Sequence, residues 1–155
     1  MIKIIDNFLE KDLINYLEEL FIFKTPHYYG EASLKNGNKF YSALLNNQDA
    51  LINFLIEKIK KKFNCKQVIR CYLNIQHTGM NGEWHQDDGL KTIILMISKT
   101  LKKNSGHFQI KNNNIIKKIN FVQNRLIGFE AKKYHRGLSP VEKNTLRVTL
   151  AFKTI

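Results

Sequence analysis

Residues 82–89 read GEWHQDDG, Gly-Glu-Trp-His-Gln-Asp-Asp-Gly, and lie between two apolar runs. A histidine, His85, and a carboxylate, Asp87, stand two residues apart in this stretch. In a β-strand, side chains two apart share a face, so both can project into one interior and hold one ion. A neutral imidazole and a single carboxylate leave such a site incomplete, and an isolated His-x-Asp is usually a surface accident. The reading therefore depends on what the rest of the chain supplies.

Fifty residues on, the strand-like stretch KKYHRGLSP contains His135, and twelve residues beyond that LRVTLAF contains Arg147. Two histidines and one carboxylate on one side of a metal, with open positions opposite, are the ligand set of non-haem Fe(II) oxygenases. Each residue alone is weak: a histidine in a β-domain is usually a hydrogen-bonded core or surface residue, and an arginine is usually solvated. The signal is the conjunction of His85, Asp87, His135 and Arg147, in order and each in a predicted strand.

The chain has 155 residues, 43% of them hydrophobic, which predicts one globular domain over 1–155 with a substantial core. Its formal net charge of +12 and pI near 9.7 would suit an acidic partner such as nucleic acid. The abundance of Lys, Asn and Ile with only 2 Pro is also what AT-rich coding produces, so the charge is read first as compositional. The two cysteines, Cys65 and Cys71, lack zinc-site spacing and read as reduced, buried thiols. The N-terminus MIKIID reaches an acidic residue at once, unlike a signal peptide, and no apolar run has membrane-spanning length. A soluble, cytoplasmic protein with no membrane partner is expected.

Two helical periodicities precede residue 65. Leu13, Ile14, Leu17, Leu20 and Phe21 mark one apolar face, and Ile52, Leu55, Ile56, Ile59 and Phe63 mark the other. Asn46 and Asn47 are candidate caps for the second helix, and Lys58, Lys60, Lys61 and Lys62 suit its C-terminus. Beyond residue 65, strands are predicted over 67–77, 83–87, 92–98, 107–111, 115–121, 125–130, 133–138 and 145–153. Turns at Thr78-Gly79-Met80-Asn81-Gly82, Lys102-Lys103-Asn104-Ser105-Gly106 and Asn112-Asn113-Asn114 separate several of them. This pattern predicts a mainly β sandwich or barrel buttressed by N-terminal helices.

Over most of its length the chain resembles the Fe(II)- and 2-oxoglutarate-dependent dioxygenases of the prolyl-4-hydroxylase-like type. IKIIDNFLEKDL resembles their entry strand and helix. RCYLNIQHTGMNGEWHQDDG is similar to their strand, Gly-containing turn and His-x-Asp, with Tyr72 thirteen and Gly79 six residues before His85. KTIILMIS, with Thr92, SGHFQI and above all RLIGFEAKKYHRGLSPVEKNTLRVTLAF complete the match. The resemblance implies a double-stranded β-helix, a distorted jelly roll whose mouth holds the metal. It implies Fe(II) on His85, Asp87 and His135, with 2-oxoglutarate and O2 taking the open positions. Arg147 would then pair the distal carboxylate of 2-oxoglutarate, because a buried anion requires a cation and the guanidinium fork suits it. Thr149, Tyr72 and Thr92 are further co-substrate contacts. The implied reaction is substrate hydroxylation with release of succinate and CO2.

Departures from the pattern sharpen the expectations. Met96 stands where prolyl hydroxylases of this type carry a tyrosine that touches the co-substrate. Strand alternation turns Asp88 away from the metal. His107, where the family has an acidic residue, reads as an ordinary polar side chain, and Trp84 reads as packing. The segment 25–47 reads as a long polar loop, a lid or binding loop. Within it Tyr28, Tyr29, Phe40 and Tyr41 could line a substrate groove, with Lys35 and Lys39 suiting an acidic peptide or stacked bases. The expected substrate is a protein or peptide side chain. The alternative is a protein that binds nucleic acid or oxidises a nucleobase on the same fold.

Overall fold

The computed structural model describes residues 1–112 and 115–155. Its elements in chain order are strand β1 (Lys3–Ile5), helix α1 (Lys11–Glu19) running into one π-helical turn (Leu20–Lys24), β2 (Tyr28–Glu31), β3 (Phe40–Leu45), helix α2 (Ala50–Phe63), β4 (Val68–Gln76) and β5 (Lys91–Met96). Then follow β6 (Phe108–Asn112), β7 (Ile115–Ile119), β8 (Leu126–Glu130), β9 (His135–Gly137) and β10 (Arg147–Thr154). Every pairing is antiparallel. Seven strands form a major sheet in the order β1-β8-β5-β10-β4-β3-β2, and three form a minor sheet, β7-β6-β9. The result is mainly β and jelly-roll-like, with the two helices as buttress.

Alternation along β10 places the site. Val148, Leu150 and Phe152 point to the helix side, where they pack with Leu17, Phe21, Leu55, Ile59 and Phe63. The opposite side of the strand carries Arg147, Thr149, Ala151 and Lys153, all buried between the two sheets. A second apolar cluster of Ile94, Met96, Phe108, Ile110, Phe121, Ile127 and Phe129 fills part of that space. Polar residues on β10 therefore face an interior already lined by apolar neighbours, and they require partners there.

The helical periodicities hold: Ile14, Leu17 and Phe21 are buried, as are Ile52, Leu55, Ile56, Ile59 and Phe63. The cap of α2 differs from the expectation. Asp49 is the N-cap, its carboxylate accepting from the amides of Leu51 (3.0 Å) and Ile52 (3.2 Å). Asn46 instead closes a local turn by accepting from the amide of Gln48, and Asn47 donates to carbonyls of β4. A carboxylate one residue before the helix satisfies two orphan amides, which neither asparagine reaches. Asn64, in the left-handed region at φ 47°, ends the helix after Lys60, Lys61 and Lys62.

Two strand expectations are corrected. The segment 25–47 is no structureless loop: β2 and β3 form a hairpin that extends the major sheet, β3 pairing β4 from Tyr41↔Ile75 to Leu45↔Cys71. Tyr41, Ala43 and Leu45 pack toward the helix-side core, a two-residue period that the surrounding polar residues mask. Conversely, 83–87 is not a regular strand. It is extended and joined to β9 by one bridge, with His85 and His135 exchanging backbone bonds of 3.1 and 2.9 Å. The remaining strands fall within a few residues of their expected bounds. Of the expected Asn112-Asn113-Asn114 turn, Asn112 ends β6, while Asn113 and Asn114 lie outside the described residues.

Candidate metal centre

The bridge between His85 and His135 brings both imidazoles to the same side, with ring centroids 4.3 Å apart. Asp87, two residues along, places Oδ1 3.6 Å from His85 Nε2 and Oδ2 3.1 Å from His135 Nε2. One ligand atom from each of the three lies within 4.8 Å of the others. The Nδ1 of each histidine is 2.8 Å from a backbone carbonyl two residues earlier, Glu83 O for His85 and Lys133 O for His135. A carbonyl can only accept, so Nδ1 carries the hydrogen and the Nε2 lone pair is left for a metal. Phe108 and Phe129 wedge the His135 ring at centroid distances of 5.6 and 4.7 Å.

Asp87 is held from the other side. Thr92 Oγ1 donates to its Oδ2 at 2.5 Å, and Lys153 forms an ion pair with the same oxygen. Burial alone would raise this carboxyl, but the His135 contact and the Lys153 cation outweigh it and hold it well below the usual carboxylate range. Burial, with His135 beside it, lowers the pKa of His85. Burial also lowers that of Lys153, against the pull of Asp87. The cluster thus favours a charged carboxylate and a neutral His85, the protonation states a cation needs.

A cavity of about 470 Å³ opens onto these groups, walled by Ser42, Tyr72, Asn74, Thr92, Ile94 and Ala151, with Glu31, Arg70 and Asp88 at its rim. A smaller cavity of about 60 Å³ shares Ser33, Phe40, Asn74 and Ile94 with it and ends on Arg147 and Thr149. Arg147 is 3% exposed. Its Nε donates to Gly106 O at 2.8 Å and its Nη1 to Gln76 Oε1 at 2.6 Å, while Phe121 lies beneath at 5.3 Å. A Cβ on Gly137 would sit 2.9 Å from both terminal guanidinium nitrogens, so a side chain there would shift the guanidinium. Among the described residues no carboxylate pairs with Arg147. Burial pushes its pKa down to about 10, which leaves it charged at neutral pH. A buried cation with only neutral partners is costly unless an anion joins it.

The expected residues divide clearly. His85, Asp87 and His135 converge, Arg147 and Thr149 lie at the deep end, and Tyr72 and Thr92 line the wall between. Thr92 bonds the Asp87 carboxylate directly. Asp88 is exposed and pairs with Arg70. Met96 is fully buried in the apolar cluster, away from the cavity wall. His107 bonds Gln109 (2.8 Å) and lies against Asn104 O, and Trp84 packs under Lys111 and Arg136. Tyr28, Tyr29 and Tyr41 do not line the cavity: Tyr28 and Tyr29 are exposed beside an adjoining groove, and Tyr41 meets His27 edge-on and Tyr29 at a tilt. Lys153 and Gln76 were not foreseen. Lys153 shares the β10 face of Arg147 and Thr149, so the two-residue period of that strand was its one available signal.

Solved structures of 2OG-Fe(II) oxygenases share this fold. A Pseudomonas putida prolyl-4-hydroxylase superposes with a TM-score of 0.75 at 12% identity, over 99% of this chain and 92% of that one. An oxidoreductase of the 2OG-Fe(II) oxygenase family from Burkholderia pseudomallei gives 0.77 at 10% identity, over 97% and 83%. A Trichoplax adhaerens prolyl hydroxylase, solved with a peptide of the hypoxia inducible factor oxygen degradation domain, gives 0.74 at 15%, over 99% and 83%. No protein-family model and no curated protein matches the chain.

Proposed function

We propose that residues 1–155 form one non-haem Fe(II)- and 2-oxoglutarate-dependent dioxygenase domain that hydroxylates a macromolecule, with a protein or peptide side chain as substrate. The observation that carries this reading is the pairing of a three-ligand cluster with a buried cation that lacks a carboxylate, Arg147, at opposite ends of adjoining cavities. The donor set fits the metal: two Nε2 lone pairs and one carboxylate suit Fe(II), where thiolates would suit zinc. The deep end fits a dicarboxylate, since Arg147 and the Thr149 hydroxyl offer a charged fork and a neutral donor to its far carboxylate.

Iron and 2-oxoglutarate, when bound, supply the oxidation of a substrate C–H bond by O2, with release of succinate and CO2. The chain's own residues do the positioning. His85, Asp87 and His135 hold the metal, and Thr92 fixes the carboxylate ligand. Arg147, oriented by Gln76 and backed by Gly137, holds the co-substrate together with Thr149 and Tyr72. Tyr28 and Tyr29, exposed on the β2 edge of the sheet, are the aromatic contacts we assign to substrate, while Tyr41 packs behind them. The neighbouring prolyl hydroxylase solved with a peptide supports a peptide substrate. The free thiols of Cys65 and Cys71 support a cytoplasmic setting.

The test is succinate formed from 2-oxoglutarate with Fe(II), with and without a pool of peptides. Turnover that requires both and rises with peptide supports the assignment. No succinate from the wild type, together with no calorimetric binding of 2-oxoglutarate, would overturn it.

A further inference from the structure

The net charge is not spread along the chain. Residues 1–88 hold eleven acidic and eleven basic side chains, so they are neutral, and 89–155 hold fourteen basic and two acidic ones. The whole formal +12 therefore sits on the second part, and 89–129 contain no Asp or Glu at all. A drift toward Lys and Asn codons enriches both parts in lysine. It does not strip carboxylates from one of them.

The fold gathers much of this charge on the minor sheet. Phe108, Ile110 and His135 point inward, so the alternate positions on β6 and β9 face out. On that outer face Gln109, itself buried and accepting from Arg136 Nε, pairs in register with Lys118 on one side and Arg136 on the other. Lys111 Nζ and the Arg136 guanidinium both lie over the Trp84 ring, at 4.5 and 4.6 Å, and exposed Tyr134 is 5.8 Å from Lys111. Lys111, Lys118 and Arg136 have no carboxylate partner among the described residues. Cations on a β-sheet recur at roughly 5 to 7 Å, across strands and along them. That is a rigid array for a polyanion, and the exposed Tyr134 ring within it adds a surface on which a base stacks and for which an acidic peptide has no need.

We propose that the outer face of the β7-β6-β9 sheet docks single-stranded nucleic acid through its phosphates. Because Arg136 points out where its neighbour His135 points in, docking leaves the cavity mouth open. The surface belongs to the back wall of the metal centre and does not depend on the proposed activity.

The experiment uses the full chain without iron or 2-oxoglutarate, so its outcome is separate from that of the oxygenase assay. A fluorescein-labelled 20-nucleotide single strand of mixed sequence is titrated by anisotropy between 50 and 300 mM salt. Trp84, the sole tryptophan, reports the same event by fluorescence. Lys111→Glu/Lys118→Glu/Arg136→Glu is compared with Lys58→Glu/Lys61→Glu/Lys62→Glu on α2, which changes the net charge equally. The expected result is at least a tenfold loss for the sheet variant, with the salt slope falling by about 2 for three lost contacts, and a change within about twofold for the α2 variant. Gln at the same three sheet positions, showing a smaller loss in the same order, covers any folding defect of the Glu variant. Equal losses in the sheet and α2 variants, no binding at 50 mM salt, or displacement by poly-glutamate as effective as by unlabelled oligonucleotide would overturn the proposal.

Discussion

Lys153 meets Asp87 on the cavity wall, six residues along β10 from Arg147 and on the same side of that strand. One strand face thus carries a cation at each end of the space between the sheets, with Thr149 and Ala151 between them. The shallow cation neutralises the carboxylate of the ligand cluster. Among the described residues, the deep one has only neutral partners.

The ligand assignment makes the sharpest contrast between adjacent residues. Asp87→Ala or His85→Ala should abolish Co(II) or Fe(II) binding measured by absorption or calorimetry. Asp88→Ala, which removes an exposed partner of Arg70, should change metal affinity less than about twofold, since surface ion pairs contribute little. The reverse pattern would place the ligand one residue later.

Lys153 competes electrostatically with any cation that Asp87 holds. A unit charge about 5 Å from another contributes roughly 3 kcal/mol at an effective dielectric near 20. Lys153→Met should therefore tighten Co(II) binding at least about tenfold, and Lys153→Arg should stay close to wild type. Weaker Co(II) binding in the Met variant would mean that the ammonium chiefly orients the carboxylate.

How far the sequence disclosed this site follows from the kind of signal each residue left. His85, Asp87, His135, Arg147 and Thr149 sit at spacings that strand alternation and family resemblance both mark. Lys153, near the chain end among other lysines, looks like a solvated charge, and its burial depends on β5 and β4 flanking β10. The hairpin of β2 and β3 was hidden because Gly30, Gly37 and the polar residues between its strands resemble a loop, while its pairing with β4 is a long-range contact. The placement of the tyrosines of 25–47 was the least legible part. Side chains two apart in a strand share a face, but which face borders the cavity depends on the opposite sheet, and for Tyr41 it proved to be the helix side.

Acid sensitivity should arise in two windows. The His85 pKa is depressed by burial, so on lowering the pH below about 6.5 the unfolded chain takes up a proton before the folded one, and the stability present above that pH declines. His107, also lowered by burial, acts in the same direction. Asp87 is depressed as well: its contribution is present above about pH 3.9 and is lost as pH falls through its still lower folded value. Guanidinium midpoints measured without metal from pH 8 to 3 should fall in both windows, and His85→Gln/His107→Gln should flatten the first. An unchanged upper window in that variant would assign it to other groups.

Arg147 decides the co-substrate assignment. Removing one partner of a buried pair typically costs about 3 to 5 kcal/mol, roughly 150-fold to several thousandfold in affinity. Arg147→Met should weaken 2-oxoglutarate binding at least about a hundredfold, with Arg147→Lys intermediate because it keeps the charge and loses the fork. Gly137→Ala tests the same contact from the other side, since its new Cβ would stand 2.9 Å from both terminal nitrogens of the guanidinium and displace it. That variant should weaken 2-oxoglutarate binding at least about tenfold, while Co(II) affinity stays within about threefold because Gly137 supplies no ligand. Titration of 2-oxoglutarate by calorimetry at saturating Co(II) reads all four proteins. If the Met, Lys and Ala variants all follow the wild-type curve, the deep cation serves only the Gly106 and Gln76 contacts, and the dicarboxylate must bind elsewhere or not at all.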